Sequence, residues 1–196
     1  MQTEAWITLL LLLAAALLFL AVRRGERRDI PALLRPGEPL PAFRAIDETD
    51  RERQSTELQG SPAVLIFVRG TWCPFCSSQV ESLADVYREI AALGARLVLI
   101  APRPLATTRR VADYFDVEFE FWLDESLEIA RKLGLLDSQG VPEEARTDFG
   151  ADTVWPASIV VDANGMIRRT IIARDIADRP DPRALLKALQ RITAAR

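Results

Sequence analysis

The hydrophobic period of this chain changes several times along its length, and each change marks an element. Residues 5–22 run Ala-Trp-Ile-Thr-Leu-Leu-Leu-Leu-Leu-Ala-Ala-Ala-Leu-Leu-Phe-Leu-Ala-Val, with Thr8 as their only clearly polar side chain. As a helix rising about 1.5 Å per residue they cover about 27 Å, close to the ~30 Å hydrocarbon core of a bilayer. No Lys or Arg precedes the run, and it ends directly in Arg23-Arg24 with no small-residue cleavage site. It therefore reads as one retained N-terminal transmembrane helix rather than a cleaved signal peptide. Residues 1–22 are the expected anchor, 23–36 a basic linker interrupted by Pro31 and Pro36, and 37–196 a single folded domain.

Residues 63–68, Ala-Val-Leu-Ile-Phe-Val, form a continuous apolar run that suits a strand buried on both faces. After Cys73-Pro74-Phe75-Cys76, apolar residues recur at Val80, Leu83, Ala84, Tyr87, Ile90 and Ala91, and Gly94 stands where a helix C-cap belongs. The order is strand, turn, cysteines, helix. Residues 97–101 read as a second buried strand, 108–115 as a short helix, and 119–123 as an edge strand. Asp124 and Ser126 offer N-caps to a helix over 127–133, ended by Gly134. Residues 135–153 show no period and read as a surface connection or as a loop over the active site. Residues 158–161 and 166–172 flank Asn164-Gly165, a strong hairpin signal. A final amphipathic helix opens at Asp181 or Pro182 and carries Leu185, Leu186, Leu189 and Ile192. The pattern predicts an α/β fold, a central mixed β-sheet flanked by helices, with a parallel core and an antiparallel closing pair.

Charge changes this picture in two places. The net charge of −3 and the scatter of 25 basic residues along the chain argue against nucleic acid as a partner. Arg23, Arg24, Arg27 and Arg28 follow the apolar run while only Glu4 precedes it, so the positive-inside rule places the domain on the cytoplasmic face. The persistence of disulfides outside the cytoplasm favours the alternative, the outer or periplasmic face. Membrane lipid, through residues 5–22, is the expected partner in either case.

Both cysteines of the chain lie in one C-x-x-C, and there is no His. A zinc site would lack two of its usual four ligands, so no metal is expected. No glycine-rich phosphate loop follows a predicted strand, so no nucleotide or flavin cofactor is expected either. At the start of a helix the first sulfur lies near unpaired N–H groups and the positive end of the helix dipole, which favours thiolate. Thiol pKa values in such motifs fall from ~8.5 to roughly 3.5–7.5, which makes Cys73 the expected nucleophile and Cys76, one turn later, the resolving thiol.

The turn Arg69-Gly70-Thr71-Trp72-Cys73-Pro74-Phe75-Cys76 resembles the active-site turn of the redoxin or peroxiredoxin-like branch (alkyl hydroperoxide reductase and thiol-specific antioxidant type) of the thioredoxin superfamily. The resemblance extends from Gly37-Glu38-Pro39-Leu40-Pro41-Ala42-Phe43 through Trp155-Pro156 to the Asn-Gly hairpin. It implies a thioredoxin-like fold and a substrate-facing role for Trp72, Pro74, Phe75, Trp155 and Pro156, with Arg69 and Thr71 in support. Pro156 matches the place of the superfamily's cis-proline, so the Trp155–Pro156 bond is expected to be cis, although Trp155 also suits plain core packing. Three positions depart from the family's pattern. Gly70 stands where peroxiredoxins carry Thr or Ser, with Thr71 displaced by one. Pro156 stands where they carry an Arg, leaving Arg69 as a candidate cation. Phe67 occupies the place of the buried carboxylate of thioredoxins, leaving Glu81 or Asp85 as candidate bases.

The leading expectation is a membrane-anchored thiol-disulfide oxidoreductase, with an external thiol reductant such as a thioredoxin as partner. The alternatives are a thiol-dependent peroxidase acting on hydrogen peroxide or organic or lipid hydroperoxides, and a non-catalytic membrane redox sensor or assembly factor. Turnover separates the last from the first two.

Overall fold

A computed structural model describes residues 12–15, 28–104 and 118–194 of the chain. The helix expected over 108–115 lies outside the described residues, as does most of the apolar run 5–22. Within that run residues 12–15 are helical, with Leu12 and Leu13 exposed. Among the described residues no helix is long and apolar enough to cross a membrane.

The domain starts earlier than its apolar pattern suggests. A single 3₁₀ turn, Ala32–Leu34, drives Leu34 completely into the core. A hairpin follows, formed by Arg44–Asp47 (β1) and Glu52–Gln54 (β2). Its turn is closed by Asp47, whose Oδ1 accepts from the Thr49 N–H, the Thr49 hydroxyl and the Arg51 N–H. These strands carry mostly charged and polar side chains, and so they left no hydrophobic alternation to read.

The run 63–68 forms Ala63–Phe67 (β3), which leads through the cysteine turn into Pro74–Ala92 (α1) and then Arg96–Ala101 (β4). Glu120–Leu123 (β5), Glu128–Lys132 (α2), Leu136–Asp137 (β6), Arg146–Phe149 (α3) and Thr153–Val154 (β7) come next. Ala157–Val161 (β8), Ile167–Ile172 (β9) and Pro182–Ala194 (α4) complete the chain. The main sheet has seven strands in the order β2-β1-β5-β4-β3-β8-β9. The pairs β3–β4 and β4–β5 are parallel, and β1–β2, β1–β5, β3–β8 and β8–β9 are antiparallel. This is the mixed α/β sheet of a thioredoxin-like fold.

Two expectations need correction here. β5 is not an edge strand, because β1 pairs along its free side and places it inside the sheet. Residues 135–153 are not featureless either: β6 pairs with β7 as a second, two-stranded sheet, with Asp137 opposite Thr153.

β3 shows how the sheet divides the core. Val64, Ile66 and Val68 face α1 and α4, packing with Val80, Leu83, Ile90, Leu185 and Leu189. Ala63, Leu65 and Phe67 face the opposite layer, with Trp122, Ile129, Leu133 and Leu34. Side chains alternate across a strand, so a run buried on both faces must be apolar throughout, as β3 is. α2 is capped from a distance, Asp124 accepting from the N–H groups of Ile129 at 3.0 Å and Ala130 at 2.8 Å.

Candidate active site

The cysteine turn is built by local rules. Pro74 occupies the first turn of α1, where its missing N–H leaves nothing unsatisfied, and Cys73 is the N-cap. The N–H of Cys76 donates to the Cys73 carbonyl at 3.1 Å, and that of Cys73 to the Gly70 carbonyl at 3.2 Å. Gly70 has φ +144, and a Cβ on it would stand 2.9 Å from Trp72 Nε1. A side chain such as Thr therefore does not fit this turn. Thr71 stands half-buried beside it.

Both cysteines are free thiols and both are buried, 2% exposed. Pro74 and Phe75 between them face solvent, Phe75 at 40% exposure. Cys76 Sγ accepts the backbone N–H of Arg69 at 3.4 Å. The guanidinium of Arg179, in the loop before α4, lies within reach of both sulfurs, with Nη2 at 3.5 Å from Cys73 Sγ and 3.4 Å from Cys76 Sγ.

This arrangement splits the two thiols. The hydrogen bond from the Cys73 thiol pulls Cys76 down to about 5 against the cost of burial, and Arg179 and the Arg69 N–H add to that pull. The same hydrogen bond, with burial, pushes Cys73 well above the ordinary thiol range. The helix start therefore does not act on Cys73 alone, because the contact between the sulfurs couples their titrations. Two sulfurs in hydrogen-bond contact hold one proton between them, and Cys76 has the extra N–H donor.

Arg69 does not supply the cation to the sulfurs. Its buried guanidinium donates to Asp137 Oδ2 at 2.9 Å and to the Gly140 carbonyl at 2.6 Å, and lies 4.9 Å from the Trp72 ring centroid. Its carbonyl accepts from Thr153 Oγ1 at 2.8 Å. Residues 135–153 are thus the wall behind the active-site turn. A Cβ on Gly140 would collide with the Asp137 carboxylate, so this wall needs glycine there.

The remaining candidates fall elsewhere. Trp155 is half-buried, donates Nε1–H to the Ala173 carbonyl at 2.8 Å, and has the Arg28 guanidinium 4.1 Å above its ring. The Trp155–Pro156 bond is trans, which corrects the expected cis bond. The Trp155 N–H donates to the Leu135 carbonyl at 2.6 Å and the Pro156 carbonyl accepts from Ala173 at 3.0 Å, so the chain continues extended from β7 into β8. Those pairings are met by the trans form, which is intrinsically preferred before proline. In register beyond Phe67–Ala157, Pro156 comes opposite Val68 at the end of β3. Phe67 faces the core layer away from the cysteines, and Glu81 and Asp85 are exposed on α1, so none of these acts as base on the sulfurs.

Sequence reasoning missed Arg179, Asp137, Gly140 and Thr153. Arg179 lies more than 100 residues from the cysteines. Its one local mark is its place in Asp178-Arg179-Pro180-Asp181-Pro182, a proline-bounded stretch in which the backbone is restricted.

Comparison with known proteins places the chain among thiol oxidoreductases. A model of the AhpC/TSA family matches residues 36–170. Thiol:disulfide interchange protein DsbE of Escherichia coli (strain K12) is 30% identical over 165 residues, 81% of this chain and 77% of that protein. Thiol-disulfide oxidoreductase ResA of Oceanobacillus iheyensis is 29% identical over 117 residues; the match spans 58% of this chain and 58% of that relative's length. Among solved structures, Peroxidoxin BcpB from Mycobacterium tuberculosis superposes with a TM-score of 0.64 at 20% identity, over 81% of this chain and 98% of that one, and shows the shared fold.

Proposed function

Because the chain belongs to the AhpC/TSA family and is an oxidoreductase enzyme, we propose that it exchanges disulfides through Cys73 and Cys76. The observation that carries this reading is the pair of buried free thiols in one proton-sharing contact at the start of α1. Cys73 caps the helix beside exposed Pro74 and Phe75, and so it is the sulfur assigned to attack. The Cys76 thiolate takes the Cys73 proton as Cys73 forms a bond to one substrate sulfur and the other substrate sulfur leaves as thiolate. That leaving thiolate takes up the proton from Cys76. Cys76 then attacks Cys73, which expels the second substrate thiolate and closes the Cys73–Cys76 disulfide. Two electrons pass from the dithiol to the substrate disulfide, and an external thiol such as a thioredoxin restores the dithiol. A separate general base is unnecessary, because the partner cysteine fills that role.

The match to AhpC/TSA and the cation on the sulfurs favour a second reading, a thiol peroxidase. There Cys73, its proton passed to Cys76, takes the distal oxygen of a hydroperoxide; the alcohol or water leaves with that proton, and the Cys76 thiolate displaces hydroxide, which solvent protonates to water, from the sulfenic acid to form the same disulfide. In either reading we infer that residues 5–22 anchor the domain; Arg23, Arg24, Arg27 and Arg28 favour the cytoplasmic face by the positive-inside rule, and the persistence of disulfides favours the outer or periplasmic face. Trp72 and Phe75 flank Cys73 in the turn, which makes them the side chains assigned to meet the substrate.

Stopped-flow reaction of the reduced full-length chain with hydrogen peroxide and an organic hydroperoxide, beside insulin-disulfide reduction, separates the readings. Insulin reduction lost in Cys73→Ser with slow peroxide reaction supports exchange. Peroxide oxidation at about 10⁴ M⁻¹s⁻¹ or faster overturns it in favour of the peroxidase. Failure of both moves the chain to the sensor class.

A further inference from the structure

Between β9 and α4 the chain crosses over the cysteines, and this crossing is braced at several points. The Trp155 indole ties its start at Ala173. Arg174 donates Nε–H to Asp178 Oδ2 at 3.0 Å, and Asp175 Oδ1 accepts the N–H groups of Ala177 and Asp178, both at 2.9 Å. At its end Asp181 Oδ1 accepts the Arg183 N–H at 2.9 Å, which caps α4.

The bracing fixes Arg179. Its Nη1 donates to the carbonyls of Ile176 at 3.0 Å and Asp178 at 2.7 Å, leaving Nη2 directed at the sulfurs. Its Nε is buried without a partner, and its guanidinium lies 6.0 Å from the Phe75 ring centroid. Among the described residues, few charged groups surround the dithiol. Arg179 faces it from the loop with Asp178 beside it, and Arg69 faces it from the end of β3 with its own charge paired to Asp137.

We propose that Arg179 is a catalytic residue of the dithiol, holding negative charge on whichever sulfur is ionised, first while Cys73 attacks and then while Cys76 resolves. The inference rests on the assignment of Cys73 and Cys76 given above and adds to it a cation within reach of both sulfurs. A guanidinium stays charged at every working pH, and one nitrogen nearly equidistant from two sulfurs needs no movement when charge passes between them. Among the described residues, removing this cation leaves the sulfur pair with the Arg69 N–H as its remaining donor from outside the pair.

The test is the pH dependence of iodoacetamide alkylation in the reduced full-length chain, with thiolate absorbance as a second reading, for wild type, Arg179→Lys, Arg179→Met and Arg179→Gln. The neutral variants are expected to raise the midpoint by about one unit, which is about tenfold less thiolate at a pH below both midpoints. Arg179→Lys is expected to keep the midpoint close to wild type. Insulin reduction by the neutral variants is expected to fall in parallel at pH 6 and to converge on wild type at high pH. Met keeps the apolar stem and Gln the polar end, so one folded variant of the two, checked by circular dichroism, is enough. An unchanged midpoint in a folded neutral variant overturns the inference. No substrate enters the midpoint measurement, so a chain that titrates as expected and fails to reduce insulin sinks the exchange reading alone.

Discussion

At the scale of single residues, two sulfurs share one charge. The contact pulls one thiol of the pair down, Cys76 to about 5, and pushes Cys73 above the ordinary thiol range, so between about pH 6 and pH 8 the reduced chain should carry one thiolate, not two. Absorbance at 240 nm against pH checks this count, and Cys76→Ser should return the remaining thiol toward ordinary values. The sign for stability follows from linkage. The unfolded chain keeps both protons up to pH ~8.5 while the folded chain has already lost one, so stability rises with pH from about 5 to that range. Above it the unfolded chain has lost both protons and the folded chain only one, so stability falls. Denaturant melts of the reduced protein at several pH values should show that maximum, and Cys76→Ser should flatten it.

Arg69 makes a second residue-scale case. Its guanidinium is 2% exposed and Asp137 is its ion partner. Asp137→Ala leaves a buried charge unpaired and should cost about 3–5 kcal/mol in a urea melt. The same wall makes Gly140→Ala destabilising by about 1–3 kcal/mol, since the added methyl must displace the Asp137 carboxylate or the backbone. Both should also lower the insulin-reduction rate, because Arg69 carries the N–H that meets Cys76.

At the scale of elements, α1 and α2 show two ways of starting a helix. α1 starts on its own sequence, with Cys73 as cap and Pro74 behind it, and its buried stripe of Val80, Leu83, Val86 and Ile90 follows the 3.6-residue period. α2 has only five residues and depends on Asp124, which reaches past Leu127 to two N–H groups. Asp124→Ala should orphan both and cost about 1–3 kcal/mol, read from thermal unfolding and from faster hydrogen exchange at Ile129 and Ala130. The spacing of apolar residues predicted both helices, since the period is written in neighbouring positions. It missed β1 and β2, whose strands are polar and are held by pairing with each other and with β5.

At the scale of the whole molecule, the sheet recruits residues that composition assigned to a linker. Leu34 is completely buried, its carbonyl accepts from Thr170 Oγ1 at 2.6 Å, and Arg28 bonds Asp137 at 3.2 Å and lies over Trp155. A chain truncated to begin at Gly37 should therefore melt at lower urea than one beginning at Arg28. Leu34→Ala alone should cost about 2–5 kcal/mol. Arg28 joins the basic stretch to the wall behind Arg69, so that stretch and the active-site turn share one carboxylate.

The sequence by itself determined the local objects. The β3–cysteine–α1 unit, the Asn-Gly hairpin and the final helix were legible because period, caps and turn residues act over a few positions. The position of Cys73 and Cys76 at a helix start was legible for the same reason. Only the tertiary structure decided what surrounds them. It brought Arg179 to both sulfurs from over 100 residues away, turned the Arg69 charge toward Asp137, put β5 inside the sheet, and kept the Trp155–Pro156 bond trans within a continuous strand path. Those outcomes depend on long-range pairing and on competition among buried charges for few partners. Neither leaves a periodic trace in neighbouring residues.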